Sequence, residues 1–116
     1  MARIVATPVE IGPFFVGDRL PTLFLELAWD TGGAVDLADF PNAAFVVRRL
    51  KGTATVMSGS KTAGDIVYHV TSSGELSLAW PTAFTEPGYY KLRLTMTDST
   101  PRDHSAQLLQ FEIQDR

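Results

Sequence analysis

The sequence predicts an all-β fold, an antiparallel sandwich of about seven short strands, and three observations carry that expectation. Apolar and polar residues alternate with period two in several segments, the pattern of a strand with one buried face and one wet face. Clusters of glycine and small polar residues separate these segments. Such clusters mark turns, because glycine supplies positive φ and serine competes for backbone hydrogen bonds. No stretch of helical length holds apolar residues at i, i+3, i+4 and i+7 convincingly.

In chain order, Ile4 to Val16 is apolar but broken by Pro8, Gly12 and Pro13. Proline cannot donate to a β-ladder, so this stretch reads as an edge strand or an extended arm. Residues 1–11 are therefore assigned to an N-terminal arm or edge strand and residues 12–116 to the sandwich. Leu23, Leu25, Leu27 and Trp29 form the first clear inward row. Weaker strands are expected at Ala43 to Leu50, Thr53 to Met57 and Asp65 to Thr71, separated by Lys51-Gly52, Ser58-Gly59-Ser60 and Ser72-Ser73-Gly74. Leu76, Leu78 and Trp80 then alternate with Glu75, Ser77 and Ala79, and a helical turn is expected near Pro81 to Glu86. The strongest row is Tyr90, Leu92, Leu94 and Met96 inward, with Tyr89, Lys91, Arg93, Thr95 and Thr97 outward. Leu109, Phe111 and Ile113 close the chain against Gln110, Glu112 and Gln114. This phase assignment predicts that Leu94→Asp prevents folding, whereas Arg93→Asp is tolerated within about 0.5 kcal/mol.

At 116 residues the chain has room for one sandwich core and not two. Its net charge of -3, from ten basic and thirteen acidic residues, argues against a nucleic-acid binder. With no cysteine there are no disulfides, thiolate nucleophiles or Cys-based zinc sites, which suits folding in a reducing cytoplasm. No apolar stretch is long enough to span a bilayer, and the first residues carry no signal core of the usual length. A membrane partner is not expected.

One string looks catalytic. Asp30-Thr31-Gly32 matches the D-T-G of aspartic proteases, where two carboxylates share a proton, and a symmetric dimer would need one copy per subunit. The aliphatic-aliphatic-glycine element that accompanies it in that family is missing, since Val46-Val47 is followed by Arg48 and Leu108-Leu109 by Gln110. A tight turn after a strand is the favoured reading of Asp-Thr-Gly-Gly. His69, on the polar phase of its strand, and His104, in the turn Ser99 to His104, are expected to face solvent. Asp36, Asp39, Asp65, Asp98 and Asp103 are scattered and form no ordered calcium loop. No catalytic residue, cofactor or metal is assigned. Phe14 and Phe15 are adjacent and so point to opposite sides of an extended chain: either one meets a partner, or the segment crosses between sheets and buries both.

Several of these features together resemble a family of phage immunoglobulin-like domains, found at the N-terminus of the baseplate upper protein and in related tail proteins. The residues that carry the resemblance are Gly17-Asp18, the strand Leu23 to Trp29, Val35-Asp36-Leu37, Phe45-Val46-Val47-Arg48, the strand ending at Trp80, and Pro87-Gly88-Tyr89-Tyr90. They span roughly residues 12 to 114. Gly88 and Tyr90 also resemble the tyrosine corner of sandwiches in general, where a phenol hydroxyl ties back to the backbone.

The resemblance implies an immunoglobulin-like sandwich and a structural virion component of tail, baseplate, neck or capsid surface. Such a component is made in the host cytoplasm and docks on other virion proteins and copies of itself, with no enzymatic activity, small-molecule substrate or cofactor. The expected contact is the apolar arm, through Ile4, Val9, Phe14 and Phe15, adding a strand to a neighbour's sheet. Deleting residues 1–11 is then expected to leave a folded monomer that cannot join its assembly. The alternatives are a carbohydrate or receptor adhesion module, which the inward phase of both tryptophans disfavours, and the retroviral-type protease built on Asp30.

Overall fold

The alternation along residues 88–97 becomes the central strand of one of two packed sheets in the computed structural model, which describes residues 3–8, 14–106 and 108–115. Among the described residues lie β1 (Ile4–Pro8), β2 (Phe14–Phe15), β3 (Leu23–Trp29), β4 (Asn42–Arg49), β5 (Thr55–Ser60), β6 (Ile66–Val70), β7 (Glu75–Leu78), β8 (Gly88–Thr97), β9 (Asp103–Ser105) and β10 (Leu109–Gln114). A four-stranded sheet runs β1-β3-β7-β6, and a six-stranded sheet runs β2-β10-β8-β4-β5 with β9 also paired to β8. The named strands pair antiparallel except for β2, which lies parallel to β10. This is the β-sandwich that the alternation predicts, immunoglobulin-like as the resemblance implies, with ten strands among the described residues where about seven were expected.

The inward phases meet where the sequence places them. Tyr90, Leu92, Leu94 and Met96 of β8 are all buried, and they face Leu23, Leu25 and Leu27 of β3 with Leu76 and Leu78 of β7. Each fully buried leucine contributes about 1.5–3 kcal/mol relative to an exposed one, so these rows dominate the drive to fold. Val35, Leu37 and Phe40 from the β3–β4 connection and Phe84 from the β7–β8 connection plug the two ends of the core. Phe40 is further held by the Tyr68 hydroxyl, which donates to its carbonyl at 2.8 Å. Burial pushes the Tyr68 phenol up to about 12.

No disulfide joins the sheets, and a tyrosine corner secures the start of β8 instead. The Tyr90 hydroxyl donates to the Glu86 carbonyl at 2.7 Å and accepts from Arg49 Nη1 at 2.9 Å. Arg49 also pairs with Glu86 at 3.4 Å and stacks over the Tyr90 ring. The hydroxyl thus stays satisfied while the ring packs among Phe84 and Phe111.

Four expectations are corrected. Residues 4–8 are no free arm: β1 pairs along its whole length with β3, and Ile4 (1% exposed) and Ala6 lie in the core. Of the edge-strand and arm readings, these residues form the edge strand. Ser58-Gly59-Ser60 is not a turn but the end of β5, because the Phe45 ring lies where a side chain at Gly59 would project; a Cβ there would sit 2.5 Å from the ring. The expected helical turn at 81–86 is absent, and short 3₁₀ turns lie instead at Leu37–Asp39, capped by the Asp36 side chain, and at Thr71–Ser73. Asp103 and His104, read as part of the turn Ser99 to His104, lie with Ser105 in β9.

Candidate functional site

The outward phase of β8 places Tyr89, Lys91 and Arg93 in one row on the open face of the six-stranded sheet. Pairing with β4 brings Arg48 directly opposite Lys91 and Val46 opposite Arg93, and pairing with β10 brings Gln110 opposite Lys91 and Glu112 opposite Tyr89. Two cations, Arg48 and Lys91, are therefore cross-strand neighbours with a third, Arg93, one pleat away. Like charges directly opposite in a sheet are destabilising. None of the three makes an ion pair with an acid among the described residues. Arg48 spends one donor locally, Nε to the Thr53 carbonyl at 3.0 Å, which ties the β4–β5 loop to the rim.

A groove runs along this face because the strand opposite β8 is interrupted. Ser105 pairs with Thr95 and Leu109 with Leu92, so β9 and β10 advance four residues while β8 advances three. Between those pairs the β9–β10 side has one residue more than β8, so the regular ladder is broken beside Arg93. On one side of Arg93 a cleft of about 700 Å³ is lined by Arg3, Asp30, Ser105, Leu108 and Gln110. On the other a cleft of about 340 Å³ is lined by Val46, Arg48, Thr53, Lys91 and Leu108. Arg93 and Leu108 border both, so the two are one shallow, open groove with a basic floor and apolar spots.

The sequence-predicted site residues fall elsewhere. Ile4 and Phe14 (4% exposed) belong to the core, so neither side chain is available to a partner on the folded molecule, a correction to the arm contact. Phe14 packs edge-on against Trp80 and Phe111; Phe15 is half-buried on β2; Val9 lies outside the described residues. Both tryptophans pack against the core rather than forming an exposed sugar platform, with Trp80 Nε1 donating to the Pro21 carbonyl at 3.0 Å.

Asp30 sits in a tight turn containing two positive-φ glycines, Gly32 and Gly33. One of its carboxylate oxygens accepts the Arg3 backbone N–H at 3.1 Å, which anchors β1 to the end of β3. His104, expected in solvent, lies on β9, half-buried against the Phe40 ring and 3.0 Å from Asp98. Asp98 organises the β8–β9 loop: the Thr100 hydroxyl, His104 and the backbone N–H groups of Thr100 and Arg102 all bond to it and hold its carboxyl well below the usual carboxylate range. His69 is exposed, with Nε2 2.7 Å from Ser77 Oγ and its ring beside Phe24. Among the described residues, no three His, Asp or Glu side chains gather closely enough to hold a metal ion.

The groove was not read from the sequence. Its outward residues follow from the alternation, but the pairing of Arg48 with Lys91 depends on the register of β4 against β8, and the cleft lies where β9 and β10 break, which no local motif marks.

No protein-family model matches the chain, and no curated protein matches it either. Among solved structures it is similar to CopC from Methylosinus trichosporium OB3b, with a TM-score of 0.55 and 16% identity over 100% of this chain and 96% of that one. At that identity the likeness shows the fold alone. It corrects the virion reading, because the same sandwich is built by CopC, which is not a phage protein. The residues that suggested a tail or capsid component, Leu23 to Trp29 and Gly88 to Tyr90 above all, are those that make the sandwich, and a fold does not fix a function.

Proposed function

We propose that this protein is a non-enzymatic, immunoglobulin-like binding module that docks an acidic protein segment in the groove on its six-stranded sheet. The observation that carries the reading is the cross-strand pair Arg48 and Lys91, with Arg93 beside it, in no ion pair among the described residues on the floor of an open cleft. A fold retains such a like-charge pair at a stability cost of some tenths of a kcal/mol, and an acidic ligand that lies between the cations removes that cost. Leu108 and Val46 add apolar contact for side chains flanking the acids.

An acidic peptide suits this groove better than a nucleic acid. Asp30 lines the larger cleft, so a phosphate backbone tracking the groove would meet a carboxylate at that end. The net charge of -3 also repels a long polyanion. Isothermal titration of the full chain with a deca-glutamate peptide at low salt tests the reading. Binding that falls about tenfold or more in Lys91→Glu/Arg93→Glu, and weakens with added salt, is expected. Unchanged binding by that variant overturns it, as does tighter binding of a single-stranded DNA oligonucleotide than of the peptide.

A further inference from the structure

The open face of the four-stranded sheet carries the opposite pattern. Glu26 of β3 and Glu75 of β7 are directly opposite each other, flanked by Thr7 of β1 and Val70 of β6 in the same row. Neither glutamate is in an ion pair among the described residues. In the next row Phe24 and Val67 flank Ser77, and they are 49% and 48% exposed. His69 braces Phe24 and bonds to Ser77, which keeps the aromatic ring standing on the sheet. One molecule thus displays an uncompensated carboxylate pair beside exposed apolar side chains on one face, and an uncompensated cation pair beside Leu108 and Tyr89 on the other.

We propose that the acidic partner of the groove is a second copy of this chain, whose Glu26/Glu75 face seats on the Arg48/Lys91/Arg93 face. This rests on the groove reading above and names its occupant. Charge complementarity selects the occupant: each face holds the like-charge pair that the other neutralises, and each brings apolar side chains to the contact. Because the two faces belong to opposite sheets of the sandwich, the contact is heterologous, and each bound copy offers a fresh face to the next. The product is a head-to-tail series and not a closed two-fold dimer. A face of four strands about 4.8 Å apart and about five residues long is only a few hundred Å², at the weak end of specific interfaces, so assembly is reversible and needs high protein concentration.

Sedimentation velocity on the full chain, over a concentration series at low and high salt, tests this with two double variants. Lys91→Glu/Arg93→Glu makes both faces acidic, and Glu26→Lys/Glu75→Lys makes both basic. The native chain is expected to grow in mass beyond the dimer with concentration and to disperse in high salt. Each variant alone, folded by circular dichroism, is expected to stay monomeric, and an equimolar mixture of the two is expected to assemble again. A native chain that stays monomeric throughout, a Glu26→Lys/Glu75→Lys variant that self-associates as the native does, or a mixture of folded variants that fails to assemble each overturns the proposal. The deca-glutamate titration separates the two readings: if the peptide binds through Lys91 and Arg93 while the native chain stays monomeric, self-docking falls and the groove reading stands.

Discussion

Leu94 and Arg93 are neighbours in the chain and opposites in environment. Leu94 is 1% exposed in the core, while Arg93 is exposed on the groove floor. Leu94→Asp buries a carboxylate with nothing to pair it and is expected to abolish the cooperative urea transition, whereas Arg93→Asp is expected to shift stability by no more than about 0.5 kcal/mol. Equal effects would show the phase of β8 to be misassigned.

Asp98 gives a pH-dependent prediction at the same scale. Its carboxyl is held below its unfolded value, first by the Thr100 hydroxyl, then by His104 and backbone N–H groups. A depressed folded pKa favours the folded state when the group is ionised, so this contribution is fully present above the unfolded value of about 4 and is lost as pH falls below it toward the folded value. The Asp98 carboxyl carbon signal is expected to show its protonation shift only well below pH 4 in the native protein. Asp98→Asn is expected to flatten that part of the stability-against-pH curve, and an unaltered acid limb would remove Asp98 from the account.

Among the elements, β1 is the edge strand that its sequence allowed beside the free-arm reading. Its ladder to β3, the Asp30 carboxylate on the Arg3 N–H, and the bridge from Ile4 to Ala106 make it the strand that closes one side of the sandwich. Deleting residues 1–8 removes Ile4 and Ala6 from the core and exposes the edge of β3, so the expected result is unfolding or a marginally stable chain. Losing Ile4 alone should cost about 2–5 kcal/mol by analogy with large-to-alanine core changes. A truncated chain with native thermal stability would reinstate the free arm. The break between β9 and β10 acts at this scale too, since Arg93 and Leu108 lie beside it and border both clefts.

For the whole molecule, the feature that matters is that charges of each sign are gathered in pairs on separate faces while the net charge is only -3. Interactions of exposed charges decay over about 10 Å at 0.1 M salt, so the faces do not neutralise each other through the sandwich and each bears its own repulsion. Glu75→Gln is therefore expected to raise the unfolding free energy at low salt by about 0.2–1 kcal/mol, with the gain shrinking as salt is added. A salt-independent change would mean that Glu75 acts through packing and not through charge.

The sequence by itself determined the sandwich and the facing of its strongest strands, because a period of two is a local property: every residue of Leu23 to Trp29 and Tyr89 to Thr97 has its side assigned by its neighbours. The tyrosine corner was legible for the same reason, being made within a few residues of Gly88. Tertiary structure alone decided that Ser58-Gly59-Ser60 is strand, since the Phe45 ring that fills the space over Gly59 comes from another strand. It alone decided the role of β1, since Pro8 leaves both an edge strand and an extended arm open and only burial against β3 chooses between them. The groove belongs to the same category. Arg48 and Lys91 are far apart in the chain and meet only through the register of β4 on β8, and register is fixed by the packing of both strands' inner faces at once, which no single segment encodes.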